Sequence, residues 1–152
     1  MADRGIQLAN AIVAAIQDGS WAVAYTASRE WNPNIALADD ALSQCVVWVV
    51  PKDDDTQYIG GGGPSGACTQ QQDLVCYVIT QFRPLDPNPA TAVDAAADLA
   101  AAQHEALKQQ FLTLDDGATA KWQKSLSTGH DFAAANKGVY RKEFETHWRV
   151  IG

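Results

Sequence analysis

The chain reads as an α+β domain: a mostly antiparallel sheet of about four strands, packed by two main helices, with a long glycine-rich hairpin loop. Three observations carry that expectation. The run Val139–Ile151 alternates strictly, with Tyr140, Phe144, Trp148 and Val150 on one face and Arg141, Glu143, Glu145, His147 and Arg149 on the other, the period of a half-buried strand. Strands come in blocks instead of alternating with helices, which argues for α+β over a parallel α/β sheet. Two segments, 3–18 and 91–112, carry helical periodicity.

In the first helix Ile6, Ala9, Val13 and Ile16 line one stripe, widened by Leu8 and Ile12, and Gly19 follows where a C-cap wants glycine. Trp21–Ala27 alternates through Trp21, Val23 and Tyr25 as a strand, and the prolyl stretch around Pro33 is a connection. Cys45–Val50 is a continuous apolar, β-branched block closed by Pro51, the pattern of a strand buried on both faces. Lys52–Gln72, with Asp53-Asp54-Asp55 and Gly60–Gly63, is too polar and glycine-rich to build core and is expected to be a long, mobile hairpin connection. Leu74–Phe82 resumes as a strand.

Pro84, Pro87 and Pro89 forbid regular structure before the second helix. Thr91 and Asp94 suggest its capping box, and Val93, Ala97, Ala100, Leu107 and Phe111 its apolar stripe, interrupted by His104. Residues 113–138 are ambiguous, with Asp115-Asp116-Gly117 a break, Ala120–Leu126 a short helix and Gly129–Gly138 a loop. At 152 residues the chain is expected to form one domain, 1–152.

Composition narrows the function classes. A net charge of −7 argues against a clamp on nucleic-acid phosphates, although an acidic surface could let a duplex slide past. No apolar run reaches the ~20 residues of a membrane span, and Met1-Ala2-Asp3-Arg4 lacks the start of a signal peptide. Cytoplasmic synthesis is therefore expected. Cys45, Cys68 and Cys76 are odd in number, and Cys45 and Cys76 lie within strand-like runs. They read as reduced, small apolar residues. Five Trp in so short a chain favour an interface to bury.

The motifs that resemble chemistry have plainer readings. Gly61-x-Gly63-x-x-Gly66 matches the dinucleotide fingerprint in form, but it leads to another strand instead of a helix N-terminus that could meet a pyrophosphate. Three consecutive acids at Asp53–Asp55 cannot all point at one cation, since calcium loops space their ligands; a solvated acidic tip is expected. His104, His130 and His147 share no metal-ligand spacing. His104 is expected to be a partly buried, hydrogen-bonded side chain. Ser65, Ser125 and Ser127 lack a nucleophile elbow. No catalytic, cofactor or metal residue is assigned.

The order of elements, with Ala27-x-Arg29-x-Trp31-x-Pro33 after the first strand and Val49-Val50-Pro51 closing the second, resembles the phage tail-terminator or tail-completion proteins and the small neck proteins related to them. The resemblance spans nearly the whole chain in architecture, while the acidic glycine-rich loop and residues 113–138 have no counterpart in it. It implies a non-enzymatic virion protein, assembled in the host cytoplasm. It also implies a ring, usually a hexamer, at the head–tail junction that contacts neck or connector and tail tube proteins. DNA would pass through the lumen without specific binding. On that reading Asp53, Asp54 and Asp55 face the lumen, and Trp31 or Trp122 anchors subunit contacts. The competing readings are a stopper or head–tail adaptor of the same neck, a small cytoplasmic enzyme with a site assembled from remote residues, and a cytoplasmic ligand-binding or adaptor module.

Overall fold

The computed structural model describes residues 3–19, 25–31, 45–59, 69–82, 89–130 and 140–151. Helix α1 is Arg4–Gln17. The Asp3 carboxylate caps it by accepting from Gly5 N at 2.8 Å, one of the donors that a helix start leaves unpaired. A Cβ on Gly5 would stand 3.0 Å from that carboxylate oxygen, so glycine lets the cap close. The buried stripe is centred on Leu8, Ile12 and Ile16, and Ile6 and Val13 sit at its margins.

The strands are β1 (Tyr25–Arg29), β2 (Cys45–Ile59), β3 (Thr69–Phe82), β4 (Phe111–Thr113), β5 (Thr119–His130) and β6 (Tyr140–Ile151). Helix α2, Pro89–Lys108, lies between β3 and β4. The strands form one sheet in the order β1-β2-β3-β6-β5-β4. The α+β class and the two helices are as expected, but the sheet has six strands and is mixed. β1 runs parallel to β2, with Tyr25 opposite Cys45 and Arg29 opposite Val49. The β2–β3, β3–β6, β5–β6 and β4–β5 pairs are antiparallel.

Three further expectations are corrected. The acidic run Asp53–Asp55 is not a loop tip: β2 carries it within a ladder that extends to Ile59 opposite Thr69. Hydrogen bonding along an antiparallel ladder does not require apolar side chains, so polar composition hid the hairpin arms. The glycine run 60–63 and Cys68 lie outside the described residues. Residues 120–126 are strand, not helix. The period of two is present in buried Ala120, exposed Lys121 and half-buried Trp122. A bulge then breaks it, since Trp122 opposes Trp148 but Lys124 opposes His147. The second helix begins at Pro89, a residue suited to a first turn. It ends at Lys108, so Phe111 belongs to β4 and is 68% exposed instead of closing a helical stripe.

The β4–β5 turn closes with Leu114 N–H donating to Ala118 O at 2.8 Å and Gly117 N–H to Leu114 O at 2.9 Å. Gly117 has φ +86°, the left-handed region that favours glycine. The turn is held against α1. Arg4 Nε donates to Asp116 Oδ2 at 2.8 Å, and Asp116 N–H donates to Gln7 Oε1 at 3.0 Å.

Both helices pack on one sheet face. Leu8, Ile12 and Ile16 meet Val47, Val49, Leu74 and Cys76, and Trp148 and Val150 of β6 complete the cluster. Trp148 is fully buried; its indole N–H donates to Thr146 Oγ1 at 3.0 Å, and that hydroxyl donates to Cys76 O at 2.7 Å. The expected double burial of β2 holds, because Val47, Trp48 and Val49 are all buried.

Candidate interaction surface

The sheet face opposite the helices is closed around β2 and β3, where Trp48, Ile79 and Gln81 are buried, and opens toward β5 and β4. Bulky apolar side chains there are left in water: Phe111 at 68%, Leu126 at 50% and Ile151 at 49% exposure. The register places them on that face, because Phe111 opposes Lys121, Leu126 opposes Glu145 and Ile151 opposes Thr119. Exposed apolar groups that share one face and are rimmed by charge are a feature of interaction surfaces.

Charge pairs run along the same face. Arg149 on β6 donates to both carboxylate oxygens of Asp73 on β3, at 2.9 and 3.3 Å, and that contact raises the Arg149 pKa. Arg141 bonds Glu143 at 3.1 Å. His147 Nε2 lies 3.2 Å from Glu145 Oε1, at an angle that does not make a hydrogen bond. Lys121 and Lys124 are exposed on β5, with Lys121 Nζ 6.0 Å from the Phe111 ring centre. Asp73, Gln123, Lys124, His147 and Arg149 border a shallow cleft of about 380 Å³ beside the β5 bulge.

The sheet also has free edges among the described residues. β4 covers β5 only through Thr119–Lys121, so β5 continues from Trp122 to His130 with β6 on one side alone. β1 covers β2 only as far as Val49, and Val50–Ile59 continues beyond it. Unpaired strand edges offer rows of N–H and C=O groups to another chain.

The predicted interface residues are not brought together. Trp31 follows β1 at one side of the sheet and is 61% exposed. Trp122 sits on β5, with β2, β3 and β6 between it and β1. It is half-buried against Trp148, ring centres 5.3 Å apart, and so is less exposed than Trp31. Asp54 and Asp55 pair in register with Leu74 and Asp73, and Asp53 lies at the β2 bulge. Lys121, Lys124 and Leu126 were missed because the bulge conceals the period of β5, and Phe111 because it fits the apolar stripe of the preceding helix.

His104 is partly buried and hydrogen-bonded, as expected. Its ring stacks on Phe144 with centroids 4.3 Å apart and meets Trp122 edge-on, while Nε2 bonds Ser125 Oγ at 2.5 Å. Burial lowers its pKa, Lys108 adds to that, Glu105 opposes it and Lys142 lowers it further. Imidazole is thus favoured over imidazolium. A nucleophilic serine needs such a base, but also a group orienting the ring; no described carboxylate bonds His104. Beside it the Gln103 side chain is 2% exposed, and among the described residues neither amide atom has a hydrogen-bond partner; the hydroxyl of buried Thr80 is likewise unpaired among them. The Cys76 thiol, pushed up to about 12 by burial, is unsuited to nucleophilic work. Among the described residues no group of three or more His, Cys, Asp or Glu side chains could hold a metal ion, and no helix is long and apolar enough to cross a membrane.

No family model matches the chain, and no curated protein matches it. Among solved structures, it is similar to a chain from the virion of a native gene transfer agent particle, at 15% identity and a TM-score of 0.42, over 98% of this chain and 90% of that one.

Proposed function

We propose that this protein is a structural component of a tailed-phage virion: a ring-forming subunit at the head–tail junction that terminates or completes the tail. What carries this reading is the union, among the described residues, of free strand edges with an exposed apolar face on one sheet. Such features are liabilities in a monomer and become useful when subunits are joined. The order of elements and the Ala27-x-Arg29-x-Trp31-x-Pro33 and Val49-Val50-Pro51 pieces resemble the terminator group. A stopper or adaptor of the same neck would use the same surfaces with other partners.

Within a ring, Trp31 would bury its exposed ring against a neighbour. The Asp53–Asp55 stretch of β2 would run along the lumen, where negative charge keeps passing DNA from sticking. The partners would be a second copy of the chain, the connector above and the tail tube below.

The test is the mass of the purified protein by light scattering after gel filtration, with negative-stain images of the same peak. A closed ring with a central hole is expected, alone or once tail tube protein is added. A compact monomer under both conditions would refute the reading.

A further inference from the structure

We propose that successive copies of this chain contact one another face to back, with α2 of one copy lying on the open β4–β5 end of the next copy's sheet. The inference rests on the ring reading and names the surfaces that would build the assembly. Both surfaces belong to a two-layer molecule with its helices on one sheet face, so the outer side of α2 and the open sheet face point in opposite directions.

The two surfaces complement each other in charge. Asp94 and Asp98 are exposed one turn apart on α2, and Ala101, Ala102 and Glu105 continue the exposed stripe at helical spacing. Glu105 is held by Lys108 at 2.7 Å, which leaves the two aspartates as the main charge of that stripe. The opposing sheet surface is basic on balance: Lys121, Lys124 and Arg149 stand against Asp73 and Glu145, and because Asp73 is taken up by Arg149 and Glu145 lies beside His147, Lys121 and Lys124 are its main charge. Although the chain as a whole carries −7, base outweighs acid at this corner of the sheet among the described residues.

Size and shape also fit. The stripe's alanines let a helix backbone approach closely, and Phe111 and Leu126, 68% and 50% exposed, supply apolar area that an alanine-faced helix could cover. Charge would set orientation and encounter rate, and the apolar contact the lifetime. Because the surfaces differ, the contact is heterologous: it closes into a ring if the rotation allows and otherwise extends as a filament.

A charge exchange tests this. One variant carries Lys121→Glu and Lys124→Glu, the other Asp94→Lys and Asp98→Lys, each checked for native circular dichroism. Each alone is expected to raise the concentration of half-assembly at low salt by about tenfold or more. The two mixed in equal amounts are expected to restore it, because each then offers the surface that the other needs. Phe111→Ser should weaken assembly at high and low salt alike. Rings from either double variant at wild-type concentrations would overturn this inference and leave the ring reading standing. Failure of the mixture to recover would do the same. Open filaments that respond to the exchange would uphold the contact and overturn closure. A wild-type chain that stays monomeric at low salt, even with tail tube protein, would overturn both.

Discussion

The two helices cover the same sheet in different ways. α1 presents Leu8, Ile12 and Ile16, all essentially fully buried, and its polar groups at the margin are tied down. Arg4 reaches both Asp116 and Gln72, at 2.8 and 3.0 Å, and Gln7 accepts from the Asp116 backbone. α2 buries Leu99, Ala100 and Leu107, but it also buries Gln103 with both amide atoms unpaired and rests His104 on Phe144. One helix is packed for stability. The other is docked with a buried amide, Gln103, that gains nothing from burial, and such a helix is expected to open first.

The largest effect on this contrast should come from Ile12→Ala. Losing a fully buried branched side chain beneath α1 is expected to cost ~2–5 kcal/mol of unfolding free energy, read by urea titration. A loss well below that would mean that α1 is no better seated than α2.

Next comes Asp116→Ala, which removes one of the partners of Arg4 and the acceptor of Ala118 N–H at 2.9 Å. These bonds hold the Asp116 carboxyl below the usual carboxylate range, the Ala118 backbone contributing most. The change is expected to cost ~1–2 kcal/mol. In the wild type this contribution is present above the ordinary carboxylate pKa and is lost as pH falls through the depressed one. An unchanged acid limb in the variant's stability profile would refute it.

Gln103→Met should move in the opposite direction. It replaces an unpaired buried amide with an unbranched apolar side chain and is expected to stabilise by ~1–2 kcal/mol. It should also slow amide exchange in α2 without affecting α1. Destabilisation would mean that the amide is better satisfied than its protein neighbours indicate.

The smallest effect concerns His104. Its pKa is lowered in the folded chain, so the unfolded chain binds its proton first as pH falls through the ordinary value of 6.5. Stability from this group is complete above that value and declines below it. The charged groups influencing it are Lys108 and Lys142, which oppose protonation, and Glu105, which favours it. His104→Gln should flatten the stability slope between about pH 7 and pH 5. An identical slope in wild type and variant would place the titrating group elsewhere.

Several elements were legible before folding because local rules and tertiary burial agree on them. An apolar stripe at helical spacing makes α1, the β-branched block at 45–50 starts β2, and alternation makes β6. The candidate surface was less legible. Trp31 is exposed as expected, but Trp122 is drawn inward onto Trp148 and His104, a contact made from residues far apart in the chain. Phe111 fits a helical stripe in sequence; only its pairing with Lys121 turns it outward.

The chain by itself determined its class, its two helices, its central strands and its acidic balance, because periodicity, capping and charge act over a few neighbouring residues. Strand number, the parallel β1–β2 pair and the bulge that moves Lys124 and Leu126 to the open face were decided by tertiary structure alone. A strand's neighbours, and hence its free edge and exposed face, depend on backbone groups remote in sequence. No local pattern encodes them.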